Sequence, residues 1–162
     1  MKVMPERGQD ACPVPTIHRT HGKQTMSDID YTTVLPEGWA RPRGFSHAVV
    51  ARGSTQIRIA GQIGVVRSAA GDSPDLDMGA QWAKALDKLV TVLRAAGGQP
   101  EHLVMLRAYV TSIDEFNRAG AAVGKAWSET LGKHFPAMTL VQVSGLIDPD
   151  AKVEIEGEAL LP

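Results

Sequence analysis

Hydrophobic and polar residues alternate most regularly near the end of the chain, over residues 152–160. Val153, Ile155, Gly157 and Ala159 take one set of alternate positions, and acidic residues take the other. Because successive side chains of a strand point to opposite faces, this pattern predicts a strand with one face in the core and a row of carboxylates on the other. The carboxylates either deter pairing at a solvated edge strand or line a binding cleft. They belong to Glu154, Glu156 and Glu158.

Apolar residues recur at three-to-four spacing in two other stretches, which are typical of amphipathic helices. The first predicted helix covers 76–96, with Asp75 or Asp77 as its N-cap and Gly97 as its stop. The second covers 114–133, capped by its own first residue. Period-two patterns and turn signals predict the strands. These are a short strand at 31–34, then 46–51, 56–63, 101–111, 139–143 and 152–160.

The runs 46–51 and 56–63 flank the turn signal Gly53-Ser54, which predicts a hairpin with one buried face. Gly61 interrupts the second run, where it predicts a bulge or the close approach of another segment. After the short first strand, the order β-β-α-β-α-β-β predicts an α+β fold with two helices packed on one face of the sheet. The other face is left partly apolar and uncovered, as a binding surface or a subunit interface.

Composition narrows the classes of function. The 162 residues carry a formal net charge of -1, so bulk electrostatics favours neither a nucleic-acid partner nor a membrane partner. The single cysteine and the lack of an 18-residue apolar run predict a cytoplasmic protein without a membrane span. Residues 1–27 are rich in Pro, Gly and polar residues without periodicity, which predicts a disordered extension before a single domain at 28–162. Met26 is then a candidate for the true start.

Three short motifs indicate a family: Ala60-Gly61-Gln62-Ile63, Phe135-Pro136-Ala137 and Val153-Glu154-Ile155-Glu156. In this order and spacing, the stretch from about residue 44 to 162 resembles the RidA/YjgF family of enamine/imine deaminases. The resemblance implies a chorismate-mutase-like fold and a homotrimer with ligand clefts between neighbouring subunits. It also implies hydrolysis of a reactive small-molecule enamine or imine to a ketone and ammonia, with no metal or organic cofactor.

The chain departs from the family pattern at four positions that the resemblance places in the cleft. Met138 stands where an arginine binds the substrate carboxylate, and a thioether cannot form that charge-assisted pair. Ala60, Phe45 and Gly120 stand where serine, tyrosine and asparagine are common. Because each departure removes a polar group, we expect a roomier and more apolar cleft than in the deaminases.

Glu154 matches the glutamate that positions the water in the family, and is the predicted catalytic residue. In a partly desolvated cleft it could act as a general base or acid; its other interpretation is an ordinary solvated carboxylate. Met138 could equally be a core methionine, and His47 a surface histidine. The substrate-binding residues that the resemblance implies are Phe45, His47, Ala60, Gly61, Gln62, Gly120, Trp127, Pro136, Ala137 and Met138.

The leading hypothesis is therefore a hydrolase of an enamine or imine that lacks a free α-carboxylate, such as a larger neutral or thioester-linked amine. A non-catalytic trimer that binds a small molecule, or acts like a chaperone, is the alternative. A ribonuclease has less support, because the chain has neither a basic stripe nor a paired acid and base. No metal site is predicted, since Cys12, His18 and His21 lack the spacing of metal ligands.

Overall fold

A computed structural model describes residues 29–67 and 76–162. The predicted extension at 1–27, with Cys12 and its neighbouring histidines, lies outside the described residues. The elements confirm an α+β fold. They are β1 (Asp30–Val34), β2 (Ala48–Arg52), β3 (Thr55–Ile63), α1 (Met78–Ala95), a 3-10 turn (Pro100–His102), β4 (Leu103–Val110), α2 (Ile113–Arg118), α3 (Gly120–Thr130), β5 (Ala137–Gln142) and β6 (Val153–Leu161).

The first helix forms where the apolar spacing predicts it. Asp77 is its N-cap, and the side chain accepts a hydrogen bond of 2.8 Å from the Ala80 amide. Gly97, with φ of 86°, takes the left-handed conformation that ends the helix. The apolar face is fully buried and forms the centre of the core. Its largest members are Trp82, Met78, Leu86, Leu89 and Leu93.

The second predicted helix is divided in two. Ser112, not Asp114, caps α2, and its Oγ accepts from the Glu115 amide at 3.2 Å. The helix is interrupted at Ala119, whose ψ of 3° lies outside the helical range. Gly120 follows, and its low helix propensity makes an interruption at this point inexpensive. The stretch therefore forms α2 and α3 instead of one continuous helix.

Four strands form the main sheet in the order β3-β6-β4-β5, with only β4 and β5 parallel among the neighbours. The glutamate-bearing β6 thus pairs on both sides, so the edge-strand interpretation of its carboxylates is wrong. Helix α1 packs over β3 and β6, and α3 packs against α1. The helices therefore cover one face of the sheet, as predicted. None of the helices in the described ranges is long and apolar enough to cross a membrane.

The predicted hairpin between β2 and β3 is wrong. β2 pairs with β1 in a separate two-stranded sheet, whereas β3 pairs with β6. The turn residues bind the end of β6: the Ser54 amide donates to the Leu161 carbonyl at 2.9 Å, and the Ser54 hydroxyl donates to the carbonyl of Pro162. A bridge between Ser46 and Ala137 joins the small sheet to β5.

Candidate functional site

Gly61 lies where β3 passes directly under the Glu154 side chain. The register between β3 and β6 shifts between Ile59 and Gln62, so Gly61 belongs to a β-bulge. A Cβ atom at Gly61 would overlap the Glu154 carboxylate, which means that only glycine leaves room for this contact. Both interpretations of Gly61, bulge and close approach, therefore apply.

The bulge also changes which side chains of β3 face Glu154. Beyond it, Ile63 pairs with Glu154, while Gln62 pairs with Ile155. Since partners across an antiparallel pair point to the same face, Gln62 is turned away from Glu154. Its Nε2 donates to the Ala60 carbonyl at 3.1 Å instead. The regular alternation expected across 56–63 thus ends at Gly61.

Glu154 is half-buried in a row of charged side chains on the face of the sheet that the helices leave open. Arg107 donates to Glu156 Oε1 at 3.2 Å and to Glu158 Oε1 at 3.0 Å, and the Tyr109 hydroxyl donates to Glu156 Oε1 at 3.2 Å. Burial raises the pKa of Tyr109, and the nearby Glu156 carboxylate adds to the effect. No ion pair among the described side chains includes Glu154. Its carboxylate is therefore the one in the row that can hold a water or a substrate.

Two polar side chains on α1 hold the strands that carry this site, and the sequence pattern did not identify them. Lys88 Nζ donates to the Ile63 carbonyl at 2.9 Å and to the Val65 carbonyl at 2.8 Å, just after the bulge. Gln81 is buried; its Nε2 donates to the Asp150 carbonyl and its Oε1 accepts from the Lys152 amide, both at 2.8 Å. In the sequence, Lys88 and Gln81 are ordinary polar positions of an amphipathic helix, so their hydrogen-bond partners can be identified only from the fold.

On the helix side of the sheet, β5 and α3 border a cavity of about 780 Å³. Trp127 stacks on Phe135 with ring centroids 5.8 Å apart and an interplanar angle of 9°. Its Nε1 donates to the His134 carbonyl at 3.2 Å, which fixes the indole in place. Met138 lines the same cavity and packs against the core, together with the exposed ring of Phe45 at the mouth. The residue that replaces the family arginine is therefore a wall of an apolar cavity.

A second cavity of about 310 Å³ adjoins the first and contains His47. The imidazole packs edge-on against Trp39 and Phe45, at centroid distances of 5.0 and 5.6 Å. Pro136 is fully buried, and its carbonyl accepts from the Ser46 amide at 3.1 Å, which anchors the segment before β2 beside Ala137 at the start of β5.

The predicted site residues therefore fall into two groups. Glu154, with Gly61, lies on the open face of the sheet, whereas Phe45, Trp127 and Met138 surround the cavity on the helix face. Of the remaining predicted residues, His47 lies in the second cavity, and the others lie at the sheet edge or on α3. Gly120 is exposed at the start of α3, and a Cβ there would meet no atom within 4 Å. One chain thus does not bring Glu154 and the cavity together.

His134, beside the second cavity, predicts a dependence of stability on pH. Its Nε2 lies 2.7 Å from the Leu103 carbonyl, and burial lowers its pKa below the ordinary 6.5. Because the unfolded chain binds this proton more readily, the contribution of the neutral ring is present above pH 6.5 and is lost as the pH falls through the folded pKa. We expect the urea midpoint to fall on acidification below this pH, and His134→Gln to reduce the fall. Equal slopes for both proteins would contradict this role.

In the described part of the chain, no cluster of three or more His, Cys, Asp or Glu residues could hold a metal ion. The chemistry available at Glu154 is therefore that of a carboxylate on a crowded, half-buried sheet face next to a glycine bulge. The cavity on the other face offers apolar surface with two cations, Arg43 and Lys133, in its lining.

Comparison with known proteins shows which family this chain belongs to. Residues 40–161 match the sequence profile of the family described as Endoribonuclease L-PSP. The chain belongs to this family. Its members include the RidA/YjgF proteins, as the solved structures below show, so the resemblance carried by the three motifs is confirmed. Among curated proteins, none matches this L-PSP family chain.

Three solved structures place the L-PSP family fold beyond doubt. YyfB from Yersinia pestis, described as a Rid family protein of unknown function, is 32% identical with a TM-score of 0.69, covering 82% of this chain and 99% of its own. The YjgF gene product of E. coli is 28% identical with a TM-score of 0.56, covering 80% and 98%. Rv2704 from Mycobacterium tuberculosis, of the YjgF/YER057c/UK114 family, is 32% identical with a TM-score of 0.53, covering 73% and 87%. The chorismate-mutase-like fold is thereby confirmed.

Proposed function

We propose that this protein is a cytoplasmic hydrolase that adds water to a reactive enamine or imine and releases ammonia, on a substrate without a free α-carboxylate. The observation that carries the proposal is the position of Glu154. Its carboxylate lies over the Gly61 bulge, half-buried and outside the ion pairs that engage Glu156 and Glu158. Met138 in the cavity wall supports the absence of a free α-carboxylate, because its thioether cannot form the charge-assisted pair that an arginine at this position would form with a carboxylate.

The proposed reaction needs one carboxylate and one water. Glu154 holds the water and accepts one of its protons as the oxygen bonds to the imine carbon, which gives a carbinolamine. The same carboxyl group then returns the proton to the nitrogen and, as the C–N bond breaks, takes up the proton of the carbinolamine hydroxyl. The products are a carbonyl compound and ammonia, which leaves as ammonium when it removes this last proton from Glu154. An enamine enters the same sequence after protonation at carbon gives the imine. Proton transfer of this kind contributes about 10²- to 10⁴-fold to a rate.

The complete site is proposed to form between subunits of a homotrimer. In one chain Glu154 and the cavity lie on opposite faces of the sheet, so a site that contains both needs a second copy. A closed ring in which each open face meets the cavity edge of its neighbour would build three equal sites. The row of carboxylates and the paired Arg107 would then lie at the interface.

Ammonia release from generated enamines tests the function. We expect wild type to act poorly on the carboxylate-bearing enamine formed in situ from serine by a dehydratase, and to act on neutral imines of larger ketones. Met138→Arg should gain at least about tenfold on the carboxylate substrate, since it restores a charge-assisted partner. Met138→Leu is the matched control and should gain nothing. Wild type and Met138→Arg both silent on every enamine would refute the hydrolase.

In that event a non-catalytic trimer that binds a small molecule becomes the better account. One observation favours it: the cavity is apolar, and its lining in the described part of one chain contains no carboxylate or histidine. Binding without turnover would identify this function. A ribonuclease is less well supported, because the carboxylates of β6 on the open face repel a phosphate backbone.

A further inference from the structure

The two faces of the sheet differ in charge: the open face carries the carboxylates of β6, and the helix face carries cations at its cavity. Among the residues that the structure describes, the 780 Å³ cavity is lined by the cations Arg43 and Lys133 and by no carboxylate. The second cavity shares a wall with it that includes Phe45 and Lys133, and adds Arg41. Its lining, within 29–67 and 76–162, also contains no carboxylate. Within the described ranges, Arg41, Arg43 and Lys133 form no ion pair. In a chain of net charge -1, this mouth is a locally positive patch.

Behind the cations the cavity is apolar and aromatic. The stacked Trp127 and Phe135 form one wall, and Trp82, edge-on to Phe116 at 5.2 Å, forms another. The volume falls within the range of sites that enclose a ligand of drug-like size, and far exceeds what a three-carbon enamine fills. Flat rings gain specific stacking energy against such walls beyond the burial of their area.

We propose that the substrate of this site has an aromatic or similarly large apolar body with an anionic group at the end remote from the reacting nitrogen. The body occupies the cavity, and the anion lies at its mouth between Arg43 and Lys133. This inference rests on the proposed function for the reacting group, but the ligand class is assigned from the cavity alone. In this proposal the negative group of the substrate lies at the mouth of the cavity and not beside Met138, which cannot bind it.

Gly124 offers a test that does not disturb the fold. It lines the cavity on α3, and a Cβ there would meet no atom within 4 Å. Gly124→Leu should therefore fill the mouth while leaving the melting temperature equal or higher, because leucine favours a helix more than glycine does. The matched control is Ala121→Leu, an exposed position on the same helix that does not line the cavity.

The binding experiment uses 2-naphthoate, its neutral amide and acetate as calorimetric probes of the full chain. We expect 2-naphthoate to bind about tenfold more tightly than 2-naphthamide, and acetate not to bind measurably. Gly124→Leu should weaken binding of both naphthyl probes at least about tenfold, and Ala121→Leu should leave it unchanged. Lys133→Gln should weaken only the naphthoate, whereas Lys125→Gln, an exposed lysine of α3 paired with Glu129, should weaken neither.

Naphthyl probes that fail to bind, or that bind equally to wild type and Gly124→Leu, overturn the inference. Equal affinity for naphthoate and naphthamide overturns the anionic part. The proposed function fails separately: binding as expected, without ammonia release from any imine, would leave the ligand class standing and remove the hydrolase. Turnover of small alkyl imines without naphthoate binding would do the reverse.

Discussion

Glu154→Gln is expected to lower ammonia release by about 10²- to 10⁴-fold, the usual contribution of a positioned acid or base, and to leave the melting temperature nearly unchanged. Glutamine keeps the shape of the side chain over Gly61 but cannot accept and return a proton. Little stability should be lost, because no ion pair in the described chain includes Glu154. Initial rates on the best imine substrate, with thermal unfolding in parallel, measure both effects.

Glu158→Gln is the matched control for this prediction. It makes the same change of charge on the same strand and the same face, but at a residue already bound by Arg107 at 3.0 Å. We expect its rate to stay within a few-fold of wild type. If both variants lost activity equally, the effect would come from the charge of the whole row and not from the position of Glu154. An unchanged rate in Glu154→Gln would favour the binding protein.

The parts of the fold that the sequence predicted depend on local periodicity. Helix α1 combines an apolar stripe, the Asp77 cap and the Gly97 stop, and all three signals agree. Strand β6 alternates strictly, so its buried and carboxylate faces could be assigned before any pairing was known. The family motifs added the chorismate-mutase-like fold, which periodicity alone does not provide.

The failures concern pairing and register. A Gly-Ser turn between two strands predicts a hairpin, but it does not say whether a third segment competes for the same backbone groups. Here Ser54 of the turn hydrogen-bonds to the carbonyls at the C-terminal end of β6. Similarly, Gly61 signalled a bulge, but its effect on Gln62 depends on where β3 meets β6. Local sequence carries little information about such partners because they are more than 80 residues away.

The candidate site shows the same limit. Each motif residue could be predicted singly, yet Glu154 and Met138 are on opposite faces of the sheet. Met138 pairs with Leu106 of β4 and Glu154 with Tyr109, and these two residues of β4, three positions apart, point to opposite faces. The sequence assigns Tyr109 no role beyond its place in a predicted strand, yet its hydroxyl donates to Glu156 Oε1 on the adjacent strand. Its role appears only when the register between β4 and β6 is known.

If each site joins the open face of one subunit to the cavity of the next, two inactive variants should restore activity when they share a trimer. Glu154→Gln removes the proton acceptor on the open face and Gly124→Leu blocks the mouth of the cavity, so each is expected to be nearly inactive alone. In randomly mixed trimers of equal parts, an intact site needs its face from the Gly124→Leu chain and its cavity from the Glu154→Gln chain. About a quarter of the sites then meet this condition, so about a quarter of wild-type activity should return.

Co-expression of the two chains with different affinity tags, followed by sequential purification, gives the mixed trimers for the ammonia assay. The control joins Glu154→Gln with Glu154→Ala, since two chains damaged in the same half cannot complement each other. If activity stays at the level of the single variants, either the whole site lies within one chain or the proposed site does not exist. Recovery would require a neighbour to deliver Glu154 to the cavity, because the sheet keeps the two on opposite faces in every single chain.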